Sequence, residues 1–64
     1  MTRLRFERLN RGLTQTQLAT LAGIPQPTLS SIEIGRLQPS DRQLRKLSRV
    51  MQLPEDVLLS EVRL

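Results

Sequence analysis

LTQTQLATLAGIPQPTLSSIEIG, residues 13–35, is the stretch that decides the fold of this chain. Ahead of Gly23, Leu18 and Ala22 are four positions apart, which is the spacing of one helix face. Beyond Gly23, Leu29 is followed three positions later by an isoleucine, so a second helix has an apolar face as well. Gly23 follows the last periodic residue of the first helix, where only glycine adopts a left-handed backbone without strain. The stretch therefore predicts two short helices that meet at a tight turn.

Length and composition exclude several classes of protein. The 64 residues suffice for one small domain, and they include no cysteine and no histidine, which excludes disulfides and the usual zinc sites. No apolar run approaches the roughly 20 residues of a membrane span and no signal peptide is visible, which predicts a cytoplasmic protein without a membrane partner. Only serine, threonine and scattered carboxylates are available for catalysis, so we expect no enzyme, no cofactor and no small-molecule ligand.

The charge balance suits a polyanionic partner. Ten basic residues stand against six acidic ones, for a formal net charge of +4. A single aromatic residue argues against stacking platforms for single-stranded nucleic acid. Many small soluble domains are also basic, so charge alone does not decide whether the partner is a nucleic acid.

Three further helices are predicted around the central pair. The first covers residues 2–11, and the fourth covers residues 40–51, where a serine and a glutamine three positions apart form a capping box. A short fifth helix begins with Pro54 in its first turn. With the helix-turn-helix at residues 14–34, these elements give an all-α, five-helix domain over residues 1–64.

The motif residues also match a known family. The matching positions are Gly12-Leu13-Thr14-Gln15, Leu18-Ala19, Gly23-Ile24, Thr28-Leu29-Ser30, Ile32-Glu33 and Gly35. In this register the chain resembles the Cro/phage-repressor-like (xenobiotic-response-element) helix-turn-helix family, from Leu4 to about Leu59. The resemblance implies a compact lambda-repressor-like domain whose recognition helix enters the major groove of double-stranded DNA. It further implies a transcriptional regulator, a repressor, that binds a two-fold symmetric operator as a homodimer.

The outer face of the recognition helix, residues 26–34, is the expected base-reading surface. Its candidate residues are Gln26, Pro27, Ser30 and Ser31. The face has no arginine or lysine, so the bidentate contact to guanine is excluded. Gln26 can pair with adenine and Pro27 can touch a thymine methyl group, which predicts a preference for A·T pairs. The two serines either add tolerant contacts or are simply exposed to solvent.

The start of the recognition helix is open between two positions. Pro25 stands where the family usually has a capping serine or threonine, and Pro27 biases the residue before it away from helical geometry. The helix therefore begins either at Gln26 or at Pro27 with Gln26 as its cap.

Four residues are predicted to contact DNA phosphates: Gln15, Thr28, Arg36 and Arg42. Gln15 resembles the family's phosphate-contacting glutamine at the start of the second helix, and Arg36 resembles the basic residue that follows the glycine. Thr28 lies beside the reading face, and Arg42 lies beside a helix N-terminus. For Gln15 and Arg36 the alternative is a solvated polar side chain. The remaining basic residues of the fourth helix are interpreted as a solvated face: Arg45, Lys46 and Arg49.

Arg8 and Glu33 are expected to pair, because the family has an ion pair between the residues that match them. The alternative is two solvated charges that never meet. Segment 53–64 holds an apolar surplus, formed by Leu59, Val62 and Leu64, which predicts a dimerisation surface or else a frayed tail.

Two rival functions remain on this fold. The first is a protein-interaction module, an antitoxin or adaptor, that uses the apolar C-terminal end. The second is RNA binding, which suits the recognition helix poorly because the deep groove of A-form RNA excludes a helix.

Overall fold

A computed structural model describes residues 1–64 as five helices without a strand. The bounds are α1 Arg3–Asn10, α2 Gln15–Ala22, α3 Gln26–Glu33, α4 Asp41–Met51 and α5 Glu55–Leu58. This confirms the predicted all-α, five-helix fold. None of the five helices has the length and the apolar character that crossing a membrane requires.

Capping boxes fix where α2 and α4 begin. The Thr14 hydroxyl accepts from the Gln17 backbone N–H at 3.0 Å, and the Gln17 side chain accepts from the Thr14 N–H at 2.9 Å. Ser40 and Gln43 repeat this exchange at 3.1 and 3.0 Å. The box at Ser40 was predicted from the three-residue spacing, which places the two side chains where each meets the other's backbone, and Thr14 and Gln17 have the same spacing.

The recognition helix α3 begins at Gln26, so the alternative start at Pro27 is wrong. Pro25 is the N-cap, with φ −57° and ψ 140°, and no side chain caps the first turn. Pro27 falls in that first turn, where a missing N–H breaks no intrahelical bond. Both prolines are thus compatible with a helix that starts between them.

Helices α2 and α4 each end at a residue with a left-handed backbone. Gly23 ends α2 with φ 66°, and the next residue, Ile24, donates its N–H to the Ala19 carbonyl at 2.9 Å. α4 ends instead at Gln52, a non-glycine residue with φ 54°. Arg11 supports that end of α4, since its Nη2 donates to the Met51 carbonyl at 2.6 Å.

The core is a single apolar cluster to which every helix contributes. Its members are Leu4, Leu18, Ala19, Ala22, Ile24, Leu29, Ile32, Leu47, Met51 and Leu58. Four partly buried residues pack against it, namely Leu44, Val50, Leu53 and Leu59. α2 and α3 supply half of the cluster, so the recognition helix is held by its inner face against the rest of the domain.

The two chain ends pair with each other. The Arg3 N–H donates to the Ser60 carbonyl at 2.9 Å, and the Val62 N–H donates to the Met1 carbonyl at 2.8 Å. Leu59 was predicted to belong to a free apolar surplus. In the structure it packs against the core instead, just before the paired C-terminal segment. Val62 is half-buried, and Leu64 is 90% exposed.

Candidate nucleic-acid interface

A buried ion pair ties α1 to the end of α3. Arg8 donates to Glu33 twice, from Nε to Oε2 at 2.7 Å and from Nη2 to Oε1 at 3.1 Å. Only 6% of Arg8 and 1% of Glu33 are exposed. The structure therefore brings the two residues together as a bidentate pair inside the domain, and the alternative of two solvated charges does not hold.

Gln15 extends this pair to the start of the recognition helix. Its Nε2 donates to Glu33 Oε1 at 3.1 Å, and its Oε1 accepts from Gln26 Nε2 at 2.7 Å. A primary amide has two N–H donors and an acceptor oxygen with two lone pairs. One N–H of Gln15 stays free, as do the second N–H and the Oε1 of Gln26. Both glutamines are thus positioned by the protein and still able to bind a ligand.

The outer edge of α3 is polar and uncharged. Gln26 and Pro27 are exposed, and Thr28, Ser30 and Ser31 are half-buried. Because the opposite side of α3 packs into the core, this edge lies at the surface of the domain. Of the side chains expected to read bases, Gln26 and Pro27 are open to solvent, and Ser30 and Ser31 are partly covered.

A family model described as "Helix-turn-helix" matches residues 4–58. The chain belongs to the Cro/phage-repressor-like helix-turn-helix family. The match begins in α1 and ends with α5, so it covers nearly the whole helical body. Membership makes this Cro-like domain a DNA-binding helix-turn-helix regulator, with α3 as the helix that the motif inserts into the major groove. Among curated proteins, none matches the chain significantly.

Arg36 and Arg42 are exposed cations on either side of the loop that follows α3 in this Cro-like domain. Neither takes part in any of the three ion pairs of the structure. The Arg36 N–H donates to the Ser31 carbonyl at 2.9 Å, which fixes its backbone to the end of α3. Arg42 lies in the first turn of α4, which the capping box fixes. Their backbones are anchored while their guanidinium groups have no carboxylate partner.

Ile34 continues the outer edge of α3 in this Cro-like domain beyond the residues predicted from the sequence. It is the C-cap of α3 and is 52% exposed. It follows Ser30 by four positions and Pro27 by seven, so it continues their row along the helix. That spacing is visible in the sequence. An isoleucine at the end of an amphipathic helix is more typical of a core, however. The pattern alone does not distinguish a core isoleucine from an exposed one.

Proposed function

We propose that this chain is a sequence-specific transcriptional regulator, a repressor, that binds a two-fold symmetric DNA operator as a homodimer. The observation that carries the proposal is the exposed, uncharged edge of α3, which is positioned by Gln15 and the Arg8–Glu33 pair. An operator that overlaps a promoter would then be occupied by the protein instead of by RNA polymerase.

Gln26 is the proposed reader of adenine. Its free Oε1 can accept from adenine N6, and its free N–H can donate to adenine N7, while the other N–H stays on Gln15. Pro27 and Ile34 add apolar edges for thymine methyl groups. Since a well-placed bidentate pair is worth about 1–3 kcal/mol, Gln26→Ala should lower affinity for each half-site by roughly 5- to 150-fold.

Phosphate contacts are proposed to come from the two ends of this surface. The free N–H of Gln15 and the uncapped first turn of α3 at Thr28 supply neutral donors beside the recognition helix. Arg36 and Arg42 supply the charge. These contacts give affinity for any duplex, and the edge of α3 gives the sequence preference.

Selection from a randomised DNA duplex tests the proposal. We expect a recovered motif with two-fold symmetry, half-sites about one helical turn apart, and A·T pairs at the contacted positions. In Gln26→Ala we expect the preference for adenine to disappear at one position of each half-site. Thr20→Ala is the matched control, because Thr20 is exposed on the outward side of α2 and should leave the motif unchanged. A motif dominated by G·C pairs would contradict the assignment of Gln26.

Arg36→Ala separates phosphate contact from base reading. Loss of one phosphate contact in each protomer should weaken binding to operator and random duplex alike, and it should flatten the slope of log affinity against log salt by about one unit per protomer. Fluorescence anisotropy at several salt concentrations measures both quantities. A variant that loses selectivity at one base, with an unchanged slope, would show that Arg36 reads a base instead.

The proposed homodimer is supported by the exposed C-terminal end of the chain and by the size of the domain. Val62 is half-buried, Leu64 is 90% exposed, and the longest extent of the domain is 28 Å. Two such domains side by side fit half-sites that are about 34 Å apart. Sedimentation equilibrium should show weaker association for Leu64→Ser than for Leu9→Ser, its matched control on α1. Equal association of the two variants would exclude Leu64 from the interface.

A further inference from the structure

Two shallow grooves meet along the outward side of α2. The first has a volume of about 400 Å³ and is lined by Leu13, Thr16, Gln17, Thr20 and Leu21. The second has a volume of about 300 Å³ and lies between the end of α2 and the second half of α4. Thr20 and Leu21 line both, so the two grooves form one continuous surface. No residue of α3 lines either groove, and this surface is therefore separate from the reading edge.

The first groove is the apolar half of this surface. Leu21 is 61% exposed, which is the highest exposure of any large apolar side chain within a helix of this domain. It is exposed because the core takes the other side of α2. Leu13 is half-buried and provides the second apolar wall. The remaining lining residues are two threonines and a glutamine, whose aliphatic parts leave space for one inserted side chain.

The second groove is the cationic half. Lys46 and Arg49 line it, and no carboxylate of the chain lies within ion-pairing distance of either. The Lys46 Nζ lies close to Gly23, since a Cβ on Gly23 would be 3.4 Å from it. Arg45 and Arg42 are two more unpaired cations on the same helix, outside the groove. The surface thus combines an apolar recess with positive charges that no carboxylate of the chain neutralises.

We infer that this paired groove binds an acidic amphipathic segment of a partner protein. An apolar side chain of that segment would fill the recess at Leu21, and carboxylates about one helical turn away would pair with Lys46 and Arg49. The phosphates of a DNA backbone would pair with these cations, but the backbone offers no apolar group to fill the recess at Leu21. A second copy of this chain matches poorly: its adjacent carboxylates, Glu55 and Asp56, are followed by the half-buried Val57 and by Leu58, which is fully buried in its own core.

A selection on the intact protein tests the chemistry of the partner. The probe is a phage-displayed library of random 12-residue peptides, and a recovered peptide is resynthesised with a fluorescent label for anisotropy. We expect the recovered sequences to carry leucine, methionine or phenylalanine beside two or more carboxylates. Recovered peptides that are basic, that lack an apolar residue, or that bind no tighter than their scrambled versions would overturn the inference.

Variants locate the binding site and separate it from DNA binding. Leu21→Ser should lower the affinity for the peptide at least tenfold. Leu9→Ser, at a similarly exposed leucine outside both grooves, should change that affinity by less than about twofold. Lys46→Glu should lower the affinity for the peptide more than Arg45→Glu, which makes the same charge change on the same helix outside the grooves. Circular dichroism spectra that match the wild type show that each variant is folded.

Two further outcomes decide between occupants. Affinity for duplex DNA should be equal in Lys46→Glu and Arg45→Glu, and sedimentation of the free protein should be unchanged by Leu21→Ser. A DNA affinity that falls selectively in Lys46→Glu would assign the cations to DNA phosphate. Self-association that Leu21→Ser abolishes would assign the groove to a second copy. Either result would overturn the proposed partner.

Discussion

Replacing Glu33 by leucine tests how the buried ion pair stabilises this domain. The variant leaves Arg8 with one of its bonds, from Nη1 to the Leu13 carbonyl at 2.8 Å. At 6% exposure the guanidinium group cannot regain its hydration. Removing one partner of a buried pair costs about 3–5 kcal/mol. A chain of 64 residues has a free energy of unfolding of roughly 3–10 kcal/mol, so Glu33→Leu should lose a large part of its stability.

The double variant Arg8→Met/Glu33→Leu should recover most of that loss. It replaces both charges by apolar side chains of similar volume, so no uncompensated charge is left inside. Gln15 loses one acceptor and the Leu13 carbonyl loses one donor, each worth about 1 kcal/mol. We therefore expect the double variant within about 2 kcal/mol of the wild type, although each single variant loses about 3–5 kcal/mol.

Urea unfolding followed by far-ultraviolet circular dichroism measures these free energies, since the chain has no tryptophan or tyrosine. Excluded osmolytes such as TMAO or sucrose keep the single variants folded for the measurement. The matched control is Glu7→Gln, because the Arg3–Glu7 pair is long, at 3.5 Å, and part-exposed. It should change stability by less than about 0.5 kcal/mol. Additive losses in the double variant, or a loss below about 1 kcal/mol in Glu33→Leu, would refute the reasoning.

Three backbone and capping substitutions can be measured by the same unfolding assay. Gln52→Gly should stabilise the domain by about 1 kcal/mol, because Gln52 has φ 54°; no gain would mean that its side chain compensates for the strain. Gly23→Ala should destabilise by about 1–2 kcal/mol, because Gly23 has φ 66°, and an unchanged midpoint would contradict this. Ser40→Ala should cost about 1 kcal/mol through loss of the capping box, whereas Ser60→Ala, at an exposed serine that caps no helix N-terminus and donates to the Val57 carbonyl, should cost less.

Local patterns predicted most of the fold because their causes lie within a few residues. A capping box needs two side chains three positions apart, and both boxes formed where the spacing placed them. The turn at Gly23 needed a glycine after the last apolar position of α2, and the structure has it there. The same patterns left the start of α3 open, since two prolines fit two registers and only the packing of α3 on the core selects one.

Contacts between distant residues were not predictable from spacing. Arg11 donates to the Met51 carbonyl, which is forty positions away in the sequence. Leu59 was predicted to be part of an apolar surplus, because its spacing in the sequence does not show that it packs against the core. At the site, the family resemblance suggested phosphate contact for Gln15. Its side-chain bonds to Glu33 and Gln26 emerged only from the three-dimensional arrangement.

Stability and recognition depend on the same groups in this domain. Glu33 accepts from Arg8 and from Gln15, so the apolar double variant that restores the fold also removes the bond that orients Gln15 and, through it, Gln26. Losing one such bond should lower affinity for each half-site of the operator by roughly 2- to 12-fold, corresponding to about 0.5–1.5 kcal/mol, even in a fully folded protein. Arg8 and Glu33 are also the only buried charged residues of the chain. An apolar core at this position would satisfy the fold but would remove the bond from Gln15 to Glu33.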